Sequence, residues 1–553
     1  MNIKRVLVLI RQNSDRLFVV MSVLIALVIV IANFFALSNN LIFSDEGWYL
    51  CLMRDLPHYG STRFHLLFNN VFDNNIYAIR VSCWLLQIIG GIVLAIGFCS
   101  FVDLDVSQQR RWVLLLLSFS TLYWCGSLQS CPSYNYNNLK IFFAEIGMGL
   151  MLLGLSKDNV WYIVFSGFAV AFLFPVMITN TILIPLMFCV ILFLSKNKIR
   201  NGLGFVAGVV LFAVLYCVAI EPPKEILLML SSETQHVVDK GENDYGIMFL
   251  VKWTETSVMY LCKCAIVASI IFGLNYFMGK HINNGKVKMF LVFVFSFVVL
   301  WYSWRYFEPI TKLKNGEWFN DFIWIFFFMI CLSVLMEKMP MGKREIMMCM
   351  LFFLITICLS FGSNVPFYRH REVLPFLNLI LLYLVMKKST WWKALLSGVV
   401  VFAFLLFLSG LSGKNWHGDK WFGNHIPVES IGIHQHVKLE SGCIDKLVSC
   451  REIIPQGRVL NSAENWGQVV LLGYKPLSYD FDVSRNGADW FQQIVDVEME
   501  REGQLWAISH VWQTGFNDYM MLLQGYEMEI DTIHEDVYFH VWTNKDDDNT
   551  LTE

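Results

Sequence analysis

The feature that most constrains this chain is the recurrence of apolar runs of bilayer length along most of it. A helix that crosses the hydrocarbon core needs about 20 mainly apolar residues. Such runs lie at 17–37, 77–101, 111–130, 138–155, 160–174, 177–195, 201–220, 258–278, 288–304, 321–336, 346–361, 372–386 and 391–411. Within a membrane every backbone N–H and C=O must be satisfied internally, so the runs are read as helices. The expected fold class is a polytopic α-helical membrane protein of about thirteen spans. The first run follows Lys4, Arg5, Arg11 and Arg16, but it has no small-residue cleavage site and is one of many, so it is read as a retained span and not a signal peptide. The pair on either side of Pro175 is short, and two full helices and a broken or re-entrant segment both fit it.

Composition excludes the other broad classes. Hydrophobic residues make up 56% of the chain and charged residues 16%, with 46 Phe and 19 Trp. A soluble enzyme could not cover so much apolar surface, and a disordered chain would not carry it. The net charge of -3 offers no basic face to a nucleic acid. The 14 cysteines are scattered, mostly in apolar runs, without metal-ligand spacing.

Charge placement orients the spans. With the N-terminus in the cytoplasm, the inner turns hold Arg110/Arg111, Lys157, Lys196/Lys198/Arg200, Lys280/Lys286/Lys288, Lys338/Lys343/Arg344 and Lys387/Lys388/Lys393. All are short and basic, as the positive-inside rule requires. An odd number of spans places residues 412–553 outside, giving two expected domains, 1–411 in the membrane and 412–553 extracytoplasmic. The polar, Gly-rich stretch 409–425 marks the exit. Residues 457–481 read as strand, turn or short helix, strand, and 500–512 and 536–544 as further strands, so the tail is expected to be a small α/β domain. Cys443 and Cys450 share this compartment. They form a disulfide unless the residues between them are helical, which would hold them about two turns apart.

Three outer segments carry the candidate chemistry. The first, 43–65, places Asp45 and Glu46 just past the first span, followed by Trp48, Tyr49, Leu50, Leu52, Met53 and Leu56, which suit a membrane interface. The plain alternative is a solvated acidic turn. The second, 126–145, gathers Tyr134, Asn135, Tyr136, Asn137 and Asn138 at one end of the bundle, with Lys140 and Glu145 beyond. Lys140 either pairs with Glu145 or meets an anionic head group. The third, 359–376, holds Asn364, Arg369 and Arg371, and Arg305 sits at similar depth. Outer arginines run against the charge bias. They suit phosphate, whose oxygens match the guanidinium fork, or they snorkel to head groups.

No nucleotide-binding loop or haem pattern is present. Synthesis at an outer face would then draw its energy from the substrate, as a phosphate-linked sugar on a lipid carrier does. A carboxylate would deprotonate the acceptor, the acceptor would attack the anomeric carbon with inversion, and basic groups would stabilise the departing lipid phosphate.

The segment "SDEGWYL", the span count and the outer tail together resemble the polytopic glycosyltransferases of the C-type fold, which use polyprenyl-phosphate sugars. The similarity covers roughly residues 1–415, and the group includes the protein-mannosylating and aminoarabinose-transferring enzymes. The resemblance implies a bacterial inner-membrane enzyme with a periplasmic C-terminal domain. It implies Asp45 as catalytic carboxylate with Glu46 second, and Arg63, Lys140, Arg305, Arg369 and Arg371 toward the lipid phosphate. Tyr134, Asn135, Asn137, Asn138, Glu145 and Asn364 would line the acceptor or sugar site. Many members have a second acid in the second outer loop. Here that stretch offers Asn137 and Asn138, so a shared divalent metal lacks its second carboxylate, and no cofactor is assigned. The acceptor is a glycan, lipid or protein. A transporter or flippase of lipid-linked sugars, and a non-catalytic envelope assembly protein, are the competing readings.

Overall fold

The structure is a computed structural model. It describes residues 45–55, 75–103, 134–220, 222–227, 247–281, 342–361, 374–387, 424–454, 457–461, 466–477, 504–510, 526–534 and 537–544, with scattered positions in 20–41 and 324–335. The described chain is mostly helical. Among the described residues, four helices are long and apolar enough to cross a membrane: Ile76–Phe101, Tyr136–Lys157, Lys198–Ala219 and Val251–Leu274. The segments at 111–130 and 391–411, and 288–304 apart from one helical position at 294, lie outside the described residues.

The chain divides into two units. One comprises Met1–Asn33, Trp84–Ser130 and Tyr136–Leu411; the other comprises Phe34–Cys83, Cys131–Asn135 and Ser412–Glu553. The tail expected to stand alone from 412 is therefore grouped with the first outer segment and with 131–135.

In the helical unit, α2 (Ile76–Phe101, whose first two turns belong to the other unit) is followed by α3 (Tyr136–Lys157), α4 (Val160–Ala171) and the single turn α5 (Leu173–Val176). A 3-10 turn at Ile178–Ile182 leads to α6 (Leu183–Leu194) and α7 (Lys198–Ala219). Then come α8 (Ile247–His281), α9 (Lys343–Ser360) and α10 (Leu374–Lys387). Small residues let these helices meet backbone to backbone, the usual device where lipid removes the hydrophobic drive for association. A β-carbon at Gly97 of α2 would stand 2.2 Å from the Gly149 carbonyl of α3, and one at Gly208 of α7 would stand 2.0 Å from the Val164 carbonyl of α4. Ser166 donates to the Gly147 carbonyl at 2.6 Å, tying α4 to α3. Phe172 stacks on Phe143 with centroids 4.5 Å apart and packs on Phe212 at the same distance.

The basic helix ends lie together, pair by pair. α3 turns into α4 through Asp158, which has φ 50°. Asn159 caps α4 by accepting from the Trp161 amide at 3.0 Å. Asp158 accepts from Arg200 at 2.7 Å and from Asn197 at 2.8 Å. Residues 158 and 197–200 therefore share one end, and 160–195 goes out and returns as two short helices broken around Pro175. At the far end of that hairpin, Thr179 donates to the Phe361 carbonyl at 3.0 Å, beyond the last turn of α9. At the first turn of α9, Glu345 accepts from Tyr383 near the basic end of α10. The outer surface of α7 is apolar, with Leu203, Val210, Val214 and Val218 all exposed. A water-soluble protein does not leave such a stripe uncovered, whereas lipid covers it.

The structure extends the helix expected from the apolar run 258–278: α8 already begins at Ile247. Trp253, Ser257, Tyr260, Cys264, Ala268 and Ile271 are buried at helical spacing, while Lys252 and Glu255 fall on the exposed face.

In the second unit, α1 (Asp45–Asp55) precedes the tail. The tail contains an antiparallel pair, β1 (His425–Pro427) with β2 (Lys438–Glu440), and α11 (Ser441–Ile453). It continues with β3 (Arg458–Asn461), α12 (Trp466–Leu471), β4 (Lys475–Pro476), β5 (Gln504–His510), β6 (Tyr526–His534) and β7 (Val537–Asn544). The five-stranded sheet has the order β4-β3-β5-β7-β6. β3 runs parallel to both β4 and β5, and β7 runs antiparallel to β5 and β6. The expected strands at 457–481, 500–512 and 536–544 are all present; β6 was not foreseen as an element, and α11 only as the helical alternative between Cys443 and Cys450.

Cys443 and Cys450 both lie in α11 and neither forms a disulfide. Seven positions apart on the helix, they stand about 10 Å from each other along its axis, too far for a bridge. The disulfide expectation is therefore wrong, and the helical alternative holds.

Candidate functional site

Asp45 is the first residue of α1, and its side chain lies outside the described ones. Glu46, beside it, is 2% exposed and bound to Arg80 in the first turns of α2. The fork is bidentate: Nε reaches Oε1 at 2.8 Å and Nη2 reaches Oε2 at 2.7 Å. Arg80, itself fully buried, also donates to the carbonyls of Leu37 at 2.9 Å and Asn39 at 3.3 Å. A buried arginine so satisfied locks the chain leaving the first apolar run to the start of α1. Both Glu46 oxygens are engaged, which suits it to anchoring and not to taking a proton from an acceptor. Arg80 was missed by sequence reasoning. Its signal was an ionisable residue inside an apolar run, which always needs a partner.

The rest of α1 is held from its own unit. Tyr49, Leu50, Cys51 and Leu52 are buried. The helix lies so close to α12 that a β-carbon at Gly47 would fall 2.2 Å from the Gly467 nitrogen. Arg54, clamped by Asp55 at 2.6 and 2.7 Å, donates to the carbonyls of Val469 at 3.4 Å and Val470 at 3.3 Å, and to that of Tyr474. It thus caps the C-terminal end of α12. The expectation that Tyr49, Leu50 and Leu52 lie along a membrane interface is corrected: they pack inside the unit. Met53 and Leu56 lie outside the described side chains.

Tyr134 belongs to the same unit. It is 1% exposed, and its hydroxyl lies 2.7 Å from Ser82 Oγ. Burial pushes its phenol up to about 12. This is a packed, neutral side chain and not an open sugar contact.

Asn135, half-buried, belongs to this unit too. The other second-loop residues fall in the helical unit: Asn137 is half-buried, and Asn138, Lys140 and Glu145 are fully buried. Gln87 of α2 donates to the Asn138 carbonyl at 2.7 Å. The Lys140 ammonium stands 5.5 Å from the centroid of the Tyr136 ring, a cation–π arrangement. The expected pairing of Lys140 with Glu145 is not made, because Lys140 leans along α3 toward Tyr136. Neither Glu145 oxygen has a hydrogen-bond partner among the described residues. Gly90 of α2 faces it, and a β-carbon there would lie 2.6 Å from Oε2. Arg63, Arg305, Asn364, Arg369 and Arg371 lie outside the described residues.

The sequence-named residues thus form two groups. Asp45, Glu46 and Tyr134 sit with Arg80 and Ser82 in one unit; Asn137, Asn138, Lys140 and Glu145 sit with Gln87 and Gly90 in the other. The chain matches no protein-family model and no curated protein.

Proposed function

We propose that this chain is an integral membrane glycosyltransferase that moves a sugar from a polyprenyl-phosphate donor to an extracytoplasmic acceptor by a single inverting displacement. The observation that carries the reading is the buried Glu46–Arg80 pair, which fixes the helix start that bears Asp45. A general base must be held to a fraction of an ångström, and a rigid, satisfied anchor one residue away supplies that. Asp45 takes the acceptor proton, Glu46 positions it, and basic outer residues, Arg369 and Arg371 first among them, receive the lipid phosphate. The protein would sit in the bacterial inner membrane with its basic helix ends in the cytoplasm and the Ser412–Glu553 tail in the periplasm.

The rival reading, a carrier of lipid-linked sugars, draws on one observation: Glu145, an acid buried in a membrane-length helix. Purified protein in detergent separates them, since no gradient exists there. The transferase yields a glycosylated product from a polyprenyl-phosphate sugar, and Asp45→Asn should lower that yield by roughly 10²–10⁴-fold while leaving donor binding intact. Wild-type turnover in that variant removes Asp45 from the mechanism; absence of product from the native protein with every donor and acceptor tried favours the carrier.

A further inference from the structure

Three buried acceptor atoms of Gln87 and Glu145, in the seam between α2 and α3, lack a hydrogen-bond partner among the described residues. Gln87 uses its amide nitrogen on the Asn138 carbonyl, and its own Oε1 is buried without a hydrogen-bond partner among the described residues. Both Glu145 oxygens are in the same state, and Glu145 is 0% exposed. Buried polar atoms in folded proteins are almost always satisfied, so three orphan acceptors in one seam call for a donor.

Axial position brings them to one level. Helical side chains lean toward the N-terminus by about a turn, which lowers the Glu145 carboxyl to the level of residues 141–142, about 5 Å along the axis from Asn138. Gln87, which touches Asn138, and Gly90, which faces the carboxyl, are separated by about 4.5 Å along α2. The carboxyl and the Gln87 oxygen therefore share one stretch of the seam. Gly90 makes the room, since a side chain there would strike Oε2.

Among the described residues, the charged and titratable groups around it do not supply a counter-charge. On α3, Lys140 stands over Tyr136, and Lys157, three turns on, stands over Tyr162 of α4 at 5.6 Å. On α2, Arg80 is occupied by Glu46, and Cys83 and Cys99 are buried thiols. Of the other elements packed on α3, α5 contributes no titratable residue and α6 only Cys189. An ionised carboxylate with no partner at this depth would cost far more than a neutral acid.

We propose that Glu145 carries a proton in the resting protein and donates it to Gln87 Oε1, making the α2–α3 seam a membrane-embedded proton site. One proton satisfies a carboxyl oxygen and the Gln87 oxygen together. Its loss would leave a bare charge in the seam that Gly97 and Gly149 close about two turns further along, so proton release is coupled to the packing of α2 on α3. This inference does not rest on the transferase reading; it holds equally for a carrier.

The test uses the full-length protein and two readouts. Dicyclohexylcarbodiimide reacts with protonated carboxyls in apolar surroundings. The carboxyl oxygen bonds to the carbodiimide carbon, the acid proton passes to a nitrogen, and the O-acylisourea rearranges to a stable N-acylurea with no other reactant. The Glu145 peptide of the wild-type protein should carry this adduct by mass spectrometry, less of it as pH is raised. Infrared difference spectra of wild type against Glu145→Gln at about neutral pH should show a protonated-acid carbonyl band that Gln87→Leu moves to higher frequency. A carboxylate band for Glu145 at neutral pH overturns the proposal. Should Glu145→Gln fail to accumulate, the wild-type protein alone decides, and an unlabelled Glu145 peptide overturns it.

Discussion

Removing either member of the Glu46–Arg80 pair should destabilise the protein by roughly 3–5 kcal/mol, because the survivor is left as an uncompensated buried charge. Glu46→Gln with Arg80→Met should cost less than the two single changes summed, since the double variant strands neither charge. Thermal unfolding of the detergent-purified protein measures this cycle; additive losses would mean that the pair is not coupled. Cys450 gives a second residue-scale prediction. Burial raises its thiol from 9.0 to about 12, and burial likewise raises the neighbouring Tyr474 phenol, which donates to the Ile454 carbonyl. In the unfolded chain the thiol ionises from about pH 9, while the folded one keeps its proton. The unfolded state therefore binds fewer protons between about pH 9 and 12, and stability is complete below that window and falls as pH rises through it. Unfolding midpoints at rising pH, wild type against Cys450→Ala, should show a shallower decline in the variant.

At the scale of elements, the unit formed by α1 and the tail depends on one close approach. Gly47→Ala puts a methyl group into a contact already at backbone distance, and overpacking of this kind costs typically about 1–3 kcal/mol. The change should push α1 from α12 and weaken the Arg54 cap on the Val469, Val470 and Tyr474 carbonyls. Limited proteolysis of the full chain reads the outcome as faster cleavage between residues 45 and 55. Protection equal to wild type would mean that the contact tolerates a methyl group. A stop codon at 412 would be more severe, because Tyr49, Leu50 and Leu52 would lose the tail residues with which their unit is built.

At the scale of the whole molecule, the testable statement is the orientation of the helices. Asp158 and Arg200 meet at one basic end, and Glu345 and Tyr383 meet at another. The proposed topology puts these ends in the cytoplasm and the tail in the periplasm. Single cysteines placed at Asp158 and at Lys475 should therefore react with membrane-impermeant reagents from opposite sides of sealed cells and inverted vesicles. Labelling of both from the same side would refute the odd span count.

Much of this was already determined by the sequence. The apolar runs fixed helices at 76–101, 136–157 and 198–219 to within a few residues, because length and hydropathy alone decide what can satisfy its backbone in lipid. Strands β3, β5 and β7 were legible from their β-branched and aromatic content. Only the tertiary structure decided which charges meet. The chain shows Asp45, Glu46, Arg63 and Arg80 as equivalent charges near one loop, yet the fold gives Glu46 to Arg80, 34 residues away. Nor does spacing reveal that Lys140 turns to Tyr136 and leaves Glu145 against Gly90. Hydropathy is a local sum that one residue contributes to independently of its neighbours in space. Pairing depends on where two helices cross, which is set by contacts as particular as Gly97 on Gly149, and those exist only once the chain has packed.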